Sequence, residues 1–136
     1  MPQNITLTAN DMVESARRQI IEVTAADAIK LASDANVTLV DIRDPRELER
    51  EGKVPGAFHC PRGMLEFWID PTGPYFKPRF GEDKRFVFFC AGGMRSVLAA
   101  KVAQDMGLQP VAHIIGGFKA WREAGGPVEM HVAKSG

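Results

Sequence analysis

Phe86-Val87-Phe88-Phe89-Cys90-Ala91-Gly92-Gly93-Met94-Arg95-Ser96 decides what kind of sheet this chain can build. The first four residues are apolar without alternation, the pattern of a strand buried on both faces of a parallel sheet. Two glycines then interrupt the run. From Ser96 to Met106 the sequence reads as a helix, with Leu98, Val102 and Met106 at four-residue spacing and a stop at Gly107. A strand that is wet on neither side needs helices above and below it, and a strand that turns straight into a helix provides one.

The same unit recurs on either side. Ile20 to Val23 reads as a short strand, followed by a helix opened by Thr24 that carries Ala28, Ile29 and Leu31 and stops at Ser33 to Asn36. Val37 to Ile42 is β-branched and apolar and ends in the charged group Asp41, Arg43, Asp44. Pro45 then suits the first position of a helix running to Arg50. Turn residues from Gly52 to Gly56 lead into a strand over Ala57 to Cys60 and a helix from Arg62 to Trp68. The longest irregular stretch comes next, marked by Pro71, Gly73, Pro74 and Pro78. The last unit is a strand over Val111 to Ile115, a turn at Gly116-Gly117, a helix from Phe118 to Ala124 and a terminator at Gly125-Gly126-Pro127. Five alternations of strand and helix imply an α/β fold with a mostly parallel sheet. Ahead of it, residues 1–19 form a leader whose Asp11 to Arg18 segment reads as a short helix capped by Asn10 or Asp11. Residues 20–128 form the main domain, and 129–136, with His131, a tail.

Length and charge narrow the function classes. The chain has 136 residues, 45% hydrophobic, with 17 basic and 17 acidic side chains. One domain of this size buries enough core to need no disulfide or metal staple. A net charge of zero speaks against a nucleic-acid or membrane surface, either of which leaves a basic excess. The N-terminus has neither a basic nor an apolar signal region, and no stretch approaches the ~20 apolar residues of a membrane span, so a cytoplasmic location is expected. The two cysteines form no C-x-x-C pair or zinc constellation, and both are expected as free thiols.

In a parallel α/β sheet, ligands bind beyond the carboxyl ends of the strands, which directs attention to the loop after Phe89. It places Cys90 at a strand end, Gly92 and Gly93 inside a short loop, and Arg95 with Ser96 where a helix begins. Glycines let successive N–H groups turn inward as an anion-binding concavity, and the helix N-terminus adds its free N–H groups and positive dipole end. A thiol of pKa ~8.5 is about 3% thiolate at pH 7, whereas lowering it by ~2 units makes it about three-quarters thiolate, a stabilisation of roughly 2.7 kcal/mol. Cys90 is therefore the candidate nucleophile, against the plainer reading of a cysteine that merely ends a buried strand. A nucleotide phosphate is disfavoured because no G-x-x-x-x-G-K-[ST] or G-x-G-x-x-G occurs. Gly116-Gly117 reads as a tight strand-to-helix turn.

Four separated motifs resemble those of the single-domain rhodaneses: Asp41-Ile42-Arg43 with Pro45 and Glu47; Gly52 to Ala57; Cys90 to Ser96; and Gly116-Gly117-Phe118 with Trp121 and Gly125-Gly126-Pro127. The resemblance runs from about Val23 to Val128. Lys53 stands where family members commonly have histidine. The resemblance implies a three-layer α/β/α arrangement around a five-stranded parallel sheet of strand order 3-2-4-5-1, which sets the strand ending at Asp41 beside the one ending at Cys90. It further implies a sulfurtransferase. Cys90 would take a sulfane sulfur from a small anion such as thiosulfate as a persulfide and pass it to a thiol or cyanide, without metal or organic cofactor. The loop from Ala91 through Gly92, Gly93, Met94 and Arg95 to Ser96 would bind the substrate anion. Related cell-cycle phosphatases have five residues between cysteine and arginine; here there are four, Ala91 to Met94.

Several roles stay open at this level. Asp41 and Arg43 either orient the loop or its substrate, or form an ion pair at the sheet edge. Arg95 either binds the donor or braces the loop against a carboxylate. Met94 with Phe67 and Trp68 would give the mouth an apolar rim. Cys60 is either a core cysteine or a resolving thiol for Cys90, while His59 and His113 read as packed or surface histidines, and Arg62 and Glu66 as a solvated helix face. The leader before Ile20 is either a contact for a homodimer or a cover for one sheet edge. A persulfide carrier serving one protein partner, and a phosphatase or arsenate reductase, are the competing functions.

Overall fold

Strand β4 (Arg85–Phe89) lies at the centre of a five-stranded sheet whose pairings are all parallel, in the order β1 (Ile21–Val23), β5 (Val111–Ile114), β4, β2 (Val37–Asp41), β3 (Phe58–His59). The structure, a computed structural model, describes residues 2–130. The order is the one the resemblance implies. Helices α1 to α6 span Ala9–Arg17, Ala25–Leu31, Pro45–Glu51, Leu65–Ile69, Arg95–Asp105 and Gly117–Glu123.

The apolar run is explained by two different covers. Phe86 and Phe88 share one core cluster with Leu65 and Ile69 of α4 and with Ala99, Ala100 and Ala103 of α5. Val87 and Phe89, pointing the other way, join Ala28 of α2 with Phe118 and Trp121 of α6. The α5 face turned inward is made of small residues, which let a helix ride close to the sheet. The bulky periodic residues expected to mark α5 sit at its flanks: Leu98 packs beside α1, Val102 is half-buried and Met106 is exposed.

Several local expectations shift. The leader helix begins earlier than expected, because Thr8 rather than Asn10 or Asp11 is its cap: Thr8 Oγ1 accepts from Asp11 N at 3.0 Å, and the Asp11 carboxylate accepts from Thr8 N in return. This helix lays Val13 and Ala16 on Val97 of α5 instead of covering a sheet edge. The expected helix from Arg62 to Trp68 is a 3-10 turn over Arg62–Met64 followed by α4. Arg62 N donates to Ile42 O in sheet fashion, so the chain leaves β3 by a tight turn. The long loop contains a 3-10 turn over Pro78–Gly81, whose Phe80 wedges between Phe58 and Phe86 at 5.3 and 5.6 Å. Trp68 stacks on Phe58 and lies under the Lys77 ammonium, so it belongs to this cluster. Glu129, expected to begin the tail, pairs with Lys53 in an antiparallel bridge; residues 131–136, His131 among them, lie outside the described residues.

A buried ion pair ties the end of β2 to both flanking helices. Arg43 is 0% exposed; its Nε and Nη2 donate to both oxygens of Asp41 at 2.8–3.1 Å, and Nη2 also donates to Gly52 O at 2.9 Å, just past α3. Its guanidinium lies 4.1 Å over the Phe118 ring of α6. Of the two readings of Asp41 and Arg43, this geometry carries the ion pair, placed between β2, α3 and α6. Arg43→Met strands a buried carboxylate, so urea unfolding should lose about 3–5 kcal/mol of stability. A loss under ~1 kcal/mol would mean that the pair is not what joins these elements.

Candidate active site

β4 delivers Cys90 to the sheet's carboxyl edge, where it is 1% exposed. An unsolvated sulfur needs donors from its own chain, and two of the expected loop amides reach it: Gly93 N–H at 3.2 Å and Ser96 N–H at 3.4 Å. The first requires φ of +100° at Gly93, and a side chain there would also meet Gly116 N at 2.9 Å, so position 93 admits only glycine. The second belongs to the first turn of α5, whose unpaired N–H groups and dipole favour a negative sulfur.

The loop is held from behind by α6. Phe118 N donates to Cys90 O at 2.7 Å and Lys119 N to Ala91 O at 3.1 Å. This approach is so close that a Cβ on Gly117 would collide with the Cys90 carbonyl oxygen and the Ala91 backbone. Gly117 therefore does more than shorten the turn expected at that place: it lets the start of α6 seat the Cys90 loop.

Arg95 forms a two-pronged pair with Glu47 of α3, at 3.0 and 3.1 Å, and this hydrogen bonding raises the guanidinium pKa further. Of its two expected roles, bracing the loop is the one this geometry displays. Met94 and Phe67 are exposed, 52% and 58%, whereas Trp68 faces Phe58.

Behind the sulfur lies a line of polar groups that residue spacing does not reveal. Ser96 Oγ is 3.6 Å from Cys90 Sγ and 3.0 Å from His113 Nδ1, and His113 Nε2 is 2.8 Å from Glu22 Oε2. His113 is wholly buried, which pushes its pKa below the ordinary imidazole range, while the Glu22 carboxylate pulls the other way. His113 had the look of a packed histidine, and nothing in the spacing joins it to Glu22. Their partnership follows from strand register, which sets Glu22 of β1 directly beside His113 of β5.

Cys60 is remote from this chemistry. Burial pushes its thiol up to about 12. It continues β3 in register beside Ile42, while Cys90 continues β4 on the far side of β2. Two strand spacings of ~4.8 Å put the Cα atoms roughly 10 Å apart, beyond the ~7 Å reach of a disulfide. Among the described residues no three His, Cys, Asp or Glu side chains gather as metal ligands would, and no helix is long and apolar enough to cross a membrane.

Comparison with known proteins identifies the family. A model of the rhodanese-like domain matches residues 24–124. A putative sulfurtransferase of Bacillus subtilis, YtwF, is 33% identical over 98 residues, 72% of this chain and 85% of that protein. The human thiosulfate:glutathione sulfurtransferase is 29% identical over 108 residues, 74% of this chain and 92% of the relative. Among solved structures, a Rhodopseudomonas palustris protein of unknown function, described as a possible tyrosine phosphatase, superposes with a TM-score of 0.92 at 64% identity, covering 95% of this chain and 99% of its own. With a five-stranded parallel sheet in the implied strand order, and a family model spanning residues 24–124, this chain belongs to the rhodanese-like domain family.

Proposed function

We propose that this protein is a sulfurtransferase whose nucleophile is Cys90, moving a sulfane sulfur from thiosulfate or a related small anion to a thiol or cyanide. The observation that carries the reading is the convergence of the Gly93 and Ser96 amides on one buried sulfur. Thiolate Cys90 attacks the outer sulfur of the donor. The new S–S bond forms as the donor's S–S bond breaks, and sulfite leaves with the electron pair. The terminal sulfur of the Cys90 persulfide carries the negative charge, within reach of the two amides and the α5 N-terminus. An acceptor thiolate or cyanide then attacks that terminal sulfur, and Cys90 leaves as the thiolate. Each step exchanges one sulfur and one electron pair, so neither a metal nor an organic cofactor is invoked. Ala91, Gly92 and Met94 complete the loop around the incoming anion, Arg95 steadies it through Glu47, and Asp41 with Arg43 supports it from β2. A cytoplasmic setting and a homodimer remain compatible with this activity without being required by it.

A phosphatase reading draws on the description of the Rhodopseudomonas relative. Two features favour sulfur. Only four residues separate Cys90 from Arg95, and the Arg95 guanidinium, the natural partner for phosphate oxygens, is already matched to Glu47. A carrier serving a single protein partner would share the persulfide but not the turnover.

Incubation with thiosulfate should add about 32 Da, one sulfur atom, to Cys90, and cyanide should remove it with turnover. Persistence of turnover in Cys90→Ser would overturn the mechanism, persulfide without turnover would indicate the carrier, and hydrolysis of an aryl phosphate in the absence of sulfur transfer would indicate the phosphatase. Gly117→Ala displaces the Cys90 carbonyl, and a misplacement on the ångström scale should lower sulfur transfer about a hundredfold. An unaffected rate would show that the α6 seat is dispensable. Mild peroxide should give no Cys60–Cys90 crosslink in the folded protein, as read by mass spectrometry; finding one would require the strands to move apart.

A further inference from the structure

Hydrogen-bond polarity along the line behind Cys90 can be worked out from its outer end. The Glu22 carboxylate only accepts, so His113 Nε2 carries a hydrogen toward it. In neutral His113 the other ring nitrogen, Nδ1, then bears a lone pair, and the Ser96 hydroxyl must donate to it. Ser96 Oγ is left with lone pairs facing the Cys90 thiol 3.6 Å away, and the S–H donates into them. Every donor therefore points outward from the sulfur: S–H to Ser96, O–H to His113, N–H to Glu22. Such an ordered line is the arrangement through which a proton can leave a buried thiol.

We propose that Ser96, His113 and Glu22 form a proton relay for Cys90: the thiol hydrogen passes to Ser96 Oγ as that oxygen's own hydrogen passes to His113 Nδ1. The result is a thiolate and an imidazolium, with no net change of charge. The Ser96 hydroxyl now donates to the sulfur beside the Gly93 and Ser96 amides, and His113 donates from both ring nitrogens, to Ser96 and to Glu22. Ser96 touches the reacting atom; His113 and Glu22 are positioning residues that act through it. The inference rests on Cys90 being the nucleophile and adds where its proton goes.

The surroundings suit this transfer. His113 is kept neutral at rest by burial between β4 and α5, which leaves Nδ1 free to accept. The charged groups that face it are Glu22 from β1 and, beyond that carboxylate, Arg17 of α1 at 3.8 Å. From the other side come Ser96 of α5 and, through it, Cys90 after β4. The Glu22 side chain is 30% exposed, so the outer end of the line meets water and a proton can be exchanged there without opening the core. Once the persulfide has formed, a protonated His113 behind Ser96 adds a full positive charge to a site otherwise supplied with dipoles.

The test follows protons rather than sulfur. The ultraviolet absorbance of the Cys90 thiolate should be followed against pH in the wild-type chain, His113→Gln and Glu22→Gln; Cys60, titrating near 12, stays out of the way. His113→Gln should move the Cys90 curve up by about one pH unit, an approximately tenfold loss of thiolate at pH values below both midpoints, with a smaller shift in Glu22→Gln. An unmoved curve in folded His113→Gln would overturn the relay. Because a buried histidine variant can fail to fold, the ring nitrogens of His113 should also be titrated by nitrogen-15 NMR in the wild-type chain and in Cys90→Ala. Coupled groups titrate as a pair, so loss of the thiol should shift the His113 curve to lower pH, whereas identical His113 curves would equally overturn the relay. Neither readout needs a sulfur donor: uncoupled titrations with intact persulfide chemistry would remove the relay alone, and coupled titrations without persulfide would remove the proposed function instead.

Discussion

A sulfur that ends a buried strand must find its hydrogen-bond donors in its own chain, and much of this molecule is arranged to supply them. Cys90 is 1% exposed, so water is not the solvent of any charge it carries. The donors come from the five-residue loop Cys90 to Met94, which folds back on itself with a positive φ at Gly93, and from the helix that begins at Arg95. A loop this tight is not stable alone. Its outward-facing carbonyls, Cys90 O and Ala91 O, need donors of their own, and the first amides of α6 provide them. Two glycines on different units, Gly93 and Gly117, are thus parts of one contact, and the Gly116 amide is the atom that any side chain at position 93 would strike.

The same constraint explains why the sheet is built as it is. To carry Cys90 to an edge where α5 and α6 can both reach it, β4 must be central, with α5 on one face and α6 on the other. Both faces of β4 are then covered, and an unbroken apolar run is what such a strand requires. The neighbouring β2 ends level with it, Asp41 beside Phe89, and releases the chain into α3, which brings Glu47 within reach of Arg95. The Cys90 loop is therefore clamped from three directions: by α6 from behind, by α3 through Arg95, and by its own helix through Ser96.

What was legible in the sequence follows from which of these contacts are local. Strand and helix units, the two glycine turns and the Cys90 loop are written in consecutive residues, so pattern and turn chemistry expose them. The helix α5 is legible from Leu98, Val102 and Met106, but its buried face is not, because close packing selects alanine, which carries little hydrophobic signal. The cap of α1 is Thr8, which lies outside the polar run that marks the helix, although Thr8 and Asp11 together carry the reciprocal signature. Long-range pairings were out of reach altogether. Glu47 with Arg95 and Glu22 with His113 are separated by 48 and 91 positions, and only strand order and register bring them together. Four motifs in sequence order indicated the right family because each is a run of neighbouring residues, whereas His113 and Glu22 lie within two different strands, where residue type alone says buried or exposed and nothing more.

Charge balance reads differently once these pairings are known. Equal numbers of acids and bases disfavour a broad electrostatic surface, yet the site needs positive potential at one atom. Arginines on the elements that build it are already committed: Arg43 to Asp41, Arg95 to Glu47, and Arg17 to the Glu22 that also receives His113. Each pair holds an element in place and contributes little net charge. Attraction for an anion is left to oriented N–H groups, which cost no side-chain desolvation and do not reorganise when charge appears. A free arginine at this loop would instead hold a multiply charged oxyanion tightly and release it slowly, a good design for binding phosphate and a poor one for passing on a single sulfur. Paired cations and backbone dipoles suit the sulfur transfer proposed above, in which one negative sulfur is stabilised and then given up.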